Sequence, residues 1–497
     1  MELETVRTKR VFLDRYGIWP GQAGVDEGGR AWLQDPPQGV GLSVQQAGLS
    51  DVLIHAERPW EAGEVSPFCV IREDRVLRLW YYASPACEGA ATYVAYAEGV
   101  DGFHWNRPEL GIVPFEGSRA NNLLLATETF AMHSVFVDPS ARAEERYKAI
   151  APGAVFYHKG IPDLDMKKPE FKEIRRKLIE EGIAPEVVNE EFYFHSLVRG
   201  AVSPDGLHWR ILEEPLLDVN RTQLDTQNVA TFDPEAREYR GYLRGHLERR
   251  RLVRVTSGKD FRAWGPTRPI FGADAQDPID DDVYSPCYCR VPGGGHHLLF
   301  PSIYHRLEST VDLAIATSRD GLFWTRPERK PILDRRAFGQ ECSMVFAMPN
   351  LVPLDEDRWG LMVQGQFRRH DGGAETAAHP EWRWAIWGAD RLVALEAPVQ
   401  GKVTLVEQTA SGKELLANYA TAKGGWLKVE LVQTPSTPAS PVEAFEGFGL
   451  ADADPLVGDE RAGVATWRGR SDLSPLAGRK VSVRITMSRA KLFSISY

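Results

Sequence analysis

The chain has 497 residues, 43% of them hydrophobic, and a formal net charge of −10 with no block of Lys and Arg. That balance excludes an electrostatic nucleic-acid binder and makes a neutral or cationic ligand easier to accommodate. No run approaches the roughly 18 apolar residues of a membrane-spanning helix, so no membrane partner is expected.

Residues 1–50 are rich in Gly, Pro and Gln and are expected to form an N-terminal arm packing on the body that follows. Met1–Leu13 alternates charged and apolar residues and lacks the apolar stretch of a secretory leader, which gives a cytoplasmic expectation. The 5 cysteines, Cys69, Cys87, Cys287, Cys289 and Cys342, are odd in number and sparse. They read as free thiols in a reducing compartment, with no zinc-ligand spacing.

From residue 51 to 392 a unit repeats. Its clearest mark is Ser318-Arg319-Asp320-Gly321-Leu322-Phe323-Trp324, echoed by Ser203-Pro204-Asp205-Gly206-Leu207-His208-Trp209 and by Asp101-Gly102-Phe103-His104-Trp105. A degenerate copy spans Ser257 to Trp264, and a remnant lies at Gly388–Leu392. Ser and Asp side chains bond their own nearby backbone and Gly accepts positive φ, so the phrase predicts a tight turn with its Asp in a structural role. Each turn follows an apolar strand, as Leu313-Ala314-Ile315-Ala316 does before the clearest copy. Upstream of each turn, an apolar strand, a polar turn and a second strand recur at Ser66–Ser84, His133–Pro152, Gln227–Gly245, Val283–His305 and Glu341–Gly365. The 14 Trp and 33 Pro suit such a chain. The expectation is an all-β protein: a five-bladed β-propeller with about four strands in each blade.

The second unit carries an insertion at about 158–192. Phe171, Ile174, Leu178 and Ile179 at helical spacing predict an amphipathic helix, read as a surface ornament with a lid as the alternative. Beyond residue 392 the pattern changes to short alternating strands such as Trp426–Leu431 and Val481–Thr486. Residues 393–497 are expected to be a C-terminal β-sandwich that braces the propeller.

In a propeller the innermost strand of each blade lines a central channel, so residues far apart in sequence converge there. At those strand entries stand Glu64, Asp225, Asp282 and Glu341, where a purely structural core would prefer apolar residues. Crowded carboxylates repel, some stay protonated, and a protonated acid beside an ionised one is what glycosidic cleavage needs. These are the candidate catalytic residues. Trp60, His133, Gln227, Arg244, Tyr284, Tyr304 and His305 are the candidate substrate contacts. Asp138 of Val137-Asp138-Pro139 is set aside, because Phe232-Asp233-Pro234 holds the same place in the next unit and marks a hairpin device. No cofactor is required by this reading, and a structural cation in the channel is allowed.

The repeated turn phrase, with the C-terminal module, resembles the five-bladed propeller glycoside hydrolases: family 32 fructofuranosidases, family 43 arabinofuranosidases and xylosidases, and their relatives. The resemblance covers the chain at the level of architecture. Members use acids from inner strands as nucleophile or base, as general acid, and as an orienting group. By that resemblance the roles fall among Glu64, Asp225, Asp282 and Glu341. The family 32 opening Asn-Asp-Pro-Asn is replaced by Glu64-Val65-Ser66-Pro67, and the pair Glu341-Cys342 stands in the last unit and not the third. The implied activity is an exo-acting glycoside hydrolase on an oligosaccharide or glycoside. The alternatives are a sialidase-like enzyme, with a Tyr nucleophile and arginines drawn from Arg244, Arg306 and Arg368, and a non-catalytic glycan-binding propeller. A glycoside phosphorylase stays in view and would need a basic phosphate pocket beside the acids.

Overall fold

The computed structural model describes residues 9–87, 89–158, 161–164, 173, 176, 180, 192–219, 224–372, 379–433 and 442–497. Contacts divide the chain into two compact units, one of residues 47–324 with 331–386, the other of residues through Gln46 with 325–330 and 387–497. The expected boundaries at 50 and 392 therefore shift to 46 and 386, and residues 9–46 share a unit with the C-terminal strands.

The larger unit is all-β and propeller-like. Its first sheet runs Glu64–Glu73, Val76–Ser84, Tyr93–Gly99, Leu123–Ala126 as an antiparallel meander. The second is built on Ser134–Val137, Tyr147–His158, Phe192–Ser203 and Arg210–Ile211. The third runs Val229–Asp233, Glu238–Leu247, Arg250–Gly258, Arg268–Phe271. Beyond it the paired strands Asp281–Ser285, Ser302–His305 and Thr310–Leu313 continue into Tyr288–Arg290, His297–Leu299 and Ala316–Ser318. A parallel bridge, Val311 to Met344, joins them to the meander Met344–Pro353, Arg358–Gln366, Glu381–Gly388, which Gly48–Leu49 completes.

The inner strands are fastened to one another around the axis. Cys69 donates its thiol to the Val135 carbonyl (3.3 Å), and the Ala230 amide donates to the Ser134 hydroxyl (3.0 Å). Arg250 reaches Asp282, Cys287 donates to the Met348 carbonyl (3.3 Å), and Asn350 donates to the Val70 carbonyl (2.9 Å). Burial pushes the Cys69 and Cys289 thiols up to about 12, so they pack as small apolar groups and weak donors. All of the cysteines are free.

The repeated phrase is the turn its composition predicts. Asp320 accepts from the Leu322 and Phe323 amides (2.8 and 2.9 Å), while the Ser318 hydroxyl accepts from the Gly321 amide (2.9 Å). Asp205 repeats the pattern with Leu207 and His208, and Asp101 with Phe103 and His104. Gly102, Gly206 and Gly321 have φ of 81°, 78° and 72°. The carbonyls of these buried glycines serve as latches between sheets. Trp80 donates to Gly206 (2.9 Å), Tyr242 to Gly321 (3.1 Å) and Trp384 to Gly102 (2.8 Å). The aromatics themselves are fully buried, which couples each latch to core packing.

The insertion lies almost entirely outside the described residues. Glu173, Arg176 and Glu180 are α-helical, and Arg176 pairs with Glu173 and Glu180 at i−3 and i+4 (2.7 and 2.6 Å). In the smaller unit the strands Leu416–Val432 and Lys480–Ser496, 17 residues each, form the centre of one hydrogen-bonded sheet. Its order places Val393–Thr404 beside Lys480–Ser496 and Gly41–Val44 beyond it, while Lys9–Val11 also pairs with Lys480–Ser496. The long strands shift register in mid-course, near Thr421–Trp426 and Ala397–Gln400. No helix among the described residues is long and apolar enough to cross a membrane.

Candidate functional site

A cavity of about 540 Å³ opens beside the strands Asp281–Ser285 and Met344–Pro353, a size suited to a small ligand. Gln227, Tyr284, Phe346, Gln364 and Gln366 line it, together with the loop 368–372 that follows Arg358–Gln366. Gly372 has φ of 79°, and a Cβ there would stand 3.1 Å from the Arg368 guanidinium, so the loop requires glycine at its turn.

Tyr284 is the hub of the wall. Its ring lies 6.0 Å from Tyr304, 5.7 Å from Phe346 and 5.3 Å from His370. The guanidinium carbons of Arg244 and Arg251 lie 5.3 and 5.1 Å from its centroid. Arg251 is also 4.9 Å from the Tyr304 ring.

Asp225 stands open at this end, 65% exposed, ion-paired with Arg244, which is buried. Asn228 orders the segment around it. Its carbonyl accepts the Arg244 amide (3.0 Å), and its amide donates to the Leu224 and Thr226 carbonyls (3.0 and 2.7 Å) and lies 3.0 Å from His133 Nδ1. Burial pushes His133 down to about 4 against the pull of Asp225, so its imidazole is neutral near pH 7. Met132, next to His133, accepts the Tyr82 hydroxyl. Tyr82 in turn feels the charge of Glu64. Burial raises the Glu64 carboxyl, partly offset by a hydrogen bond from Ser66.

Asp282 is placed differently. Its side chain is fully buried; one oxygen takes Arg250 Nε (2.8 Å) and the other takes Arg306 Nε (2.7 Å), with Arg251 at 3.5 Å. Both of its oxygens are thus held by guanidinium groups, an arrangement suited to clasping the adjoining hairpins. His305 is likewise engaged, between Asp281 (2.6 Å) and Asp312 (3.2 Å). The hydrogen bond to Asp312, and then that to Asp281, lift it to about 9 against burial. Glu341 is exposed in the turn before Met344–Pro353, and its neighbour Cys342 is buried. Trp60 donates to Asn122 (2.9 Å) and packs edge-on against Phe115 (5.6 Å), a structural position away from the cavity wall. Asp138 is buried against Lys148 (3.1 Å), Tyr239 and Ser140, as a hairpin device would be.

Of the arginines Arg244, Arg306 and Arg368, Arg368 lines the cavity, Arg244 backs Tyr284, and Arg306 is spent on Asp282. Sequence reasoning missed Arg251, Gln364, Gln366 and His370. The signal available was positional: Gln364 and Gln366 end their strand as Arg244 and His246 end theirs. Among the described residues no group of His, Cys, Asp and Glu comes together as a metal site.

No family model matches the chain, and no curated protein matches it. Solved structures with some likeness include glycoside hydrolases. A fructofuranosidase from Schwanniomyces occidentalis, complexed with fructosylnystose, is 10% identical with a TM-score of 0.40, over 91% of this chain and 98% of its own. An α-L-arabinofuranosidase from Podospora anserina is 12% identical with a TM-score of 0.37, over 69% of this chain and 97% of its own. An N-acetylgalactosamine deacetylase from F. plautii is 12% identical with a TM-score of 0.40, over 71% and 97%.

Proposed function

We propose that the chain is an exo-acting glycoside hydrolase working beside this cavity, on a five-bladed propeller followed by a C-terminal β-sandwich. The five-blade reading is supported by the weak join at Val311–Met344, where the seven-stranded sheet divides naturally into two blades. The observation that carries the activity is the contrast between two carboxyls at one end of the inner strands. Glu64, exposed at the start of its strand, is still raised by partial desolvation of its carboxyl, and Asp225 is ion-paired with Arg244. Environments that separate two acids in this way assign them different tasks.

In this reading Glu64 gives its proton to the glycosidic oxygen as that bond breaks. Asp225 attacks the anomeric carbon, or takes the proton of the water that does. The amides of Gln227, Gln364 and Gln366 offer donors and acceptors to sugar hydroxyls, and Tyr284 and Phe346 offer ring faces to the sugar's C–H surface. A retaining course needs the carboxyls about 5–5.5 Å apart in the bound complex, and an inverting course about 6.5–9.5 Å.

The test is turnover of a panel of aryl glycosides, sucrose and arabino-, xylo- and fructo-oligosaccharides by wild type, Glu64→Gln and Asp225→Asn. One sugar cleaved by wild type and lost in both variants supports the assignment. No turnover on any sugar, with the protein folded, overturns it in favour of a binding propeller.

A further inference from the structure

The chain as a whole is acidic, at −10, yet the cavity is walled by cations. Arg368 and Arg369 line it directly, and Arg244 and Arg251 stand against its central ring, Tyr284. The acids among them do not use up this donor capacity. Asp225 takes a nitrogen of Arg244, Asp371 takes one of Arg369 (3.0 Å), and Asp282 takes Arg251 at 3.5 Å. Among the described residues, the Nε atoms of Arg244, Arg251 and Arg369 are buried without a hydrogen-bond partner, as is Oε1 of Gln227 on the same wall. Arg368 makes no hydrogen bond or ion pair among the described residues, and it is exposed at the rim. The guanidinium open to the cavity is that of Arg368, and it offers a carboxylate or phosphate a fork-like array of N–H donors.

The neighbouring histidines do not supply this charge. Burial, with Arg244 and Arg251, pushes His246 down, and burial with Arg251 and Arg244 does the same to His370. The positive field is therefore that of the arginines, and it persists across the working range of pH.

We propose that this cavity is an oxyanion subsite: it takes a sugar ligand through a carboxylate or phosphate group, met first by Arg368 and drawn in by the Arg244–Tyr284–Arg251 stack. The subsite deepens the glycosidase reading, since it names the substrate class of the same cavity. A group held there has a distinct place beside Asp225, whose own partner is Arg244. The sugar's neutral hydroxyls are left to Gln227, Gln364 and Gln366.

The experiment is calorimetric titration of the full chain with methyl glucuronide, methyl glucoside and inorganic phosphate, at low and at physiological salt. Wild type and Arg368→Ala are compared, with Arg368→Lys as the conservative variant. The expected result is binding of the glucuronide or of phosphate at least about 10-fold tighter than methyl glucoside. Salt weakens that binding, Arg368→Ala loses it, and Arg368→Lys restores part of it. Binding of the glucuronide alone identifies a sugar carboxylate, and binding of phosphate alone identifies a phosphate group. Equal binding of glucoside and glucuronide, binding unchanged in Arg368→Ala, or no binding of either anion overturns the subsite. The readout is independent of turnover. Anion binding retained by Asp225→Asn while no glycoside is cleaved by wild type sinks the hydrolase reading alone.

Discussion

Asp225 and Asp282 stand at the entries of consecutive inner strands, both beside arginine, and they have opposite fates. Asp225 is 65% exposed and meets one buried guanidinium, Arg244, whereas Asp282 is fully buried and meets Arg250, Arg251 and Arg306. Residue type is alike, and what differs is how many cations the adjoining hairpins deliver. The hairpin after Glu238–Leu247 carries Arg250 and Arg251, and that after Ser302–His305 carries Arg306; all of them close over Asp282. A carboxylate so clasped holds the fold, while one left open on a single side can face a ligand.

The sharpest way to break the comparison is to remove each charge in turn. Asp225→Asn is expected to lower kcat/KM by about 10²–10⁴-fold while stability changes by about 1 kcal/mol, since the carboxylate side of the pair is open to water. Kinetics and a denaturant titration on the same preparation decide it. A loss of stability matching the loss of rate makes Asp225 structural and erases the contrast. Asp282→Asn is expected to show the reverse order of effects. It leaves three guanidinium groups, partly exposed, around a neutral amide, and costs about 2–3 kcal/mol, below the 3–5 of a fully buried pair. The unfolding midpoint falls first, and any fall in activity follows from misplaced Arg251 against Tyr284.

The two sides also differ in how they answer to pH. On the Asp282 side, His305 is raised to about 9 by Asp312 and Asp281. Its folded value lies above the unfolded one, so its contribution is complete below about pH 6.5 and is lost as pH rises toward 9. On the Asp225 side, His133 is lowered to about 4. Its burial as a neutral ring weakens the fold as pH falls from about 6.5 to 4. His305→Gln should flatten the alkaline limb of the stability curve by about 1–3 kcal/mol. An alkaline limb unchanged by the substitution means that His305 carries no charge in the folded protein.

Much of the scaffold was legible because its signal is local. The Ser-x-Asp-Gly turn needs only its own backbone and a glycine at positive φ, so Asp320, Asp205 and Asp101 announce it in sequence. That the same turns latch to Trp80, Tyr242 and Trp384 of neighbouring sheets was not legible, since each partner lies far away in sequence. The acids at strand entries were legible as a set, and their sorting was not. Burial and the arginine hairpins separate Asp282 from Asp225, and both are tertiary facts. The chain-wide charge is silent in the same way: −10 averaged over 497 residues says nothing of arginines gathered at one cavity.

Glu341 supplies the smallest expected effect and closes the comparison from the other side. It has the position of a strand-entry acid and the Glu-Cys pair of a resembling family, yet it is exposed in the turn before Met344–Pro353 and is absent from the cavity wall. A carboxylate in water gains little from its surroundings and loses little when neutralised, so Glu341→Gln should leave stability within about 0.5 kcal/mol of wild type. It should also leave kcat/KM and its pH profile unchanged, measured beside Asp225→Asn under one set of conditions. A loss of rate comparable to that of Asp225→Asn would mean that the turn carries Glu341 onto bound substrate. Proximity to a guanidinium in the free protein would then cease to be the feature that distinguishes a working acid here.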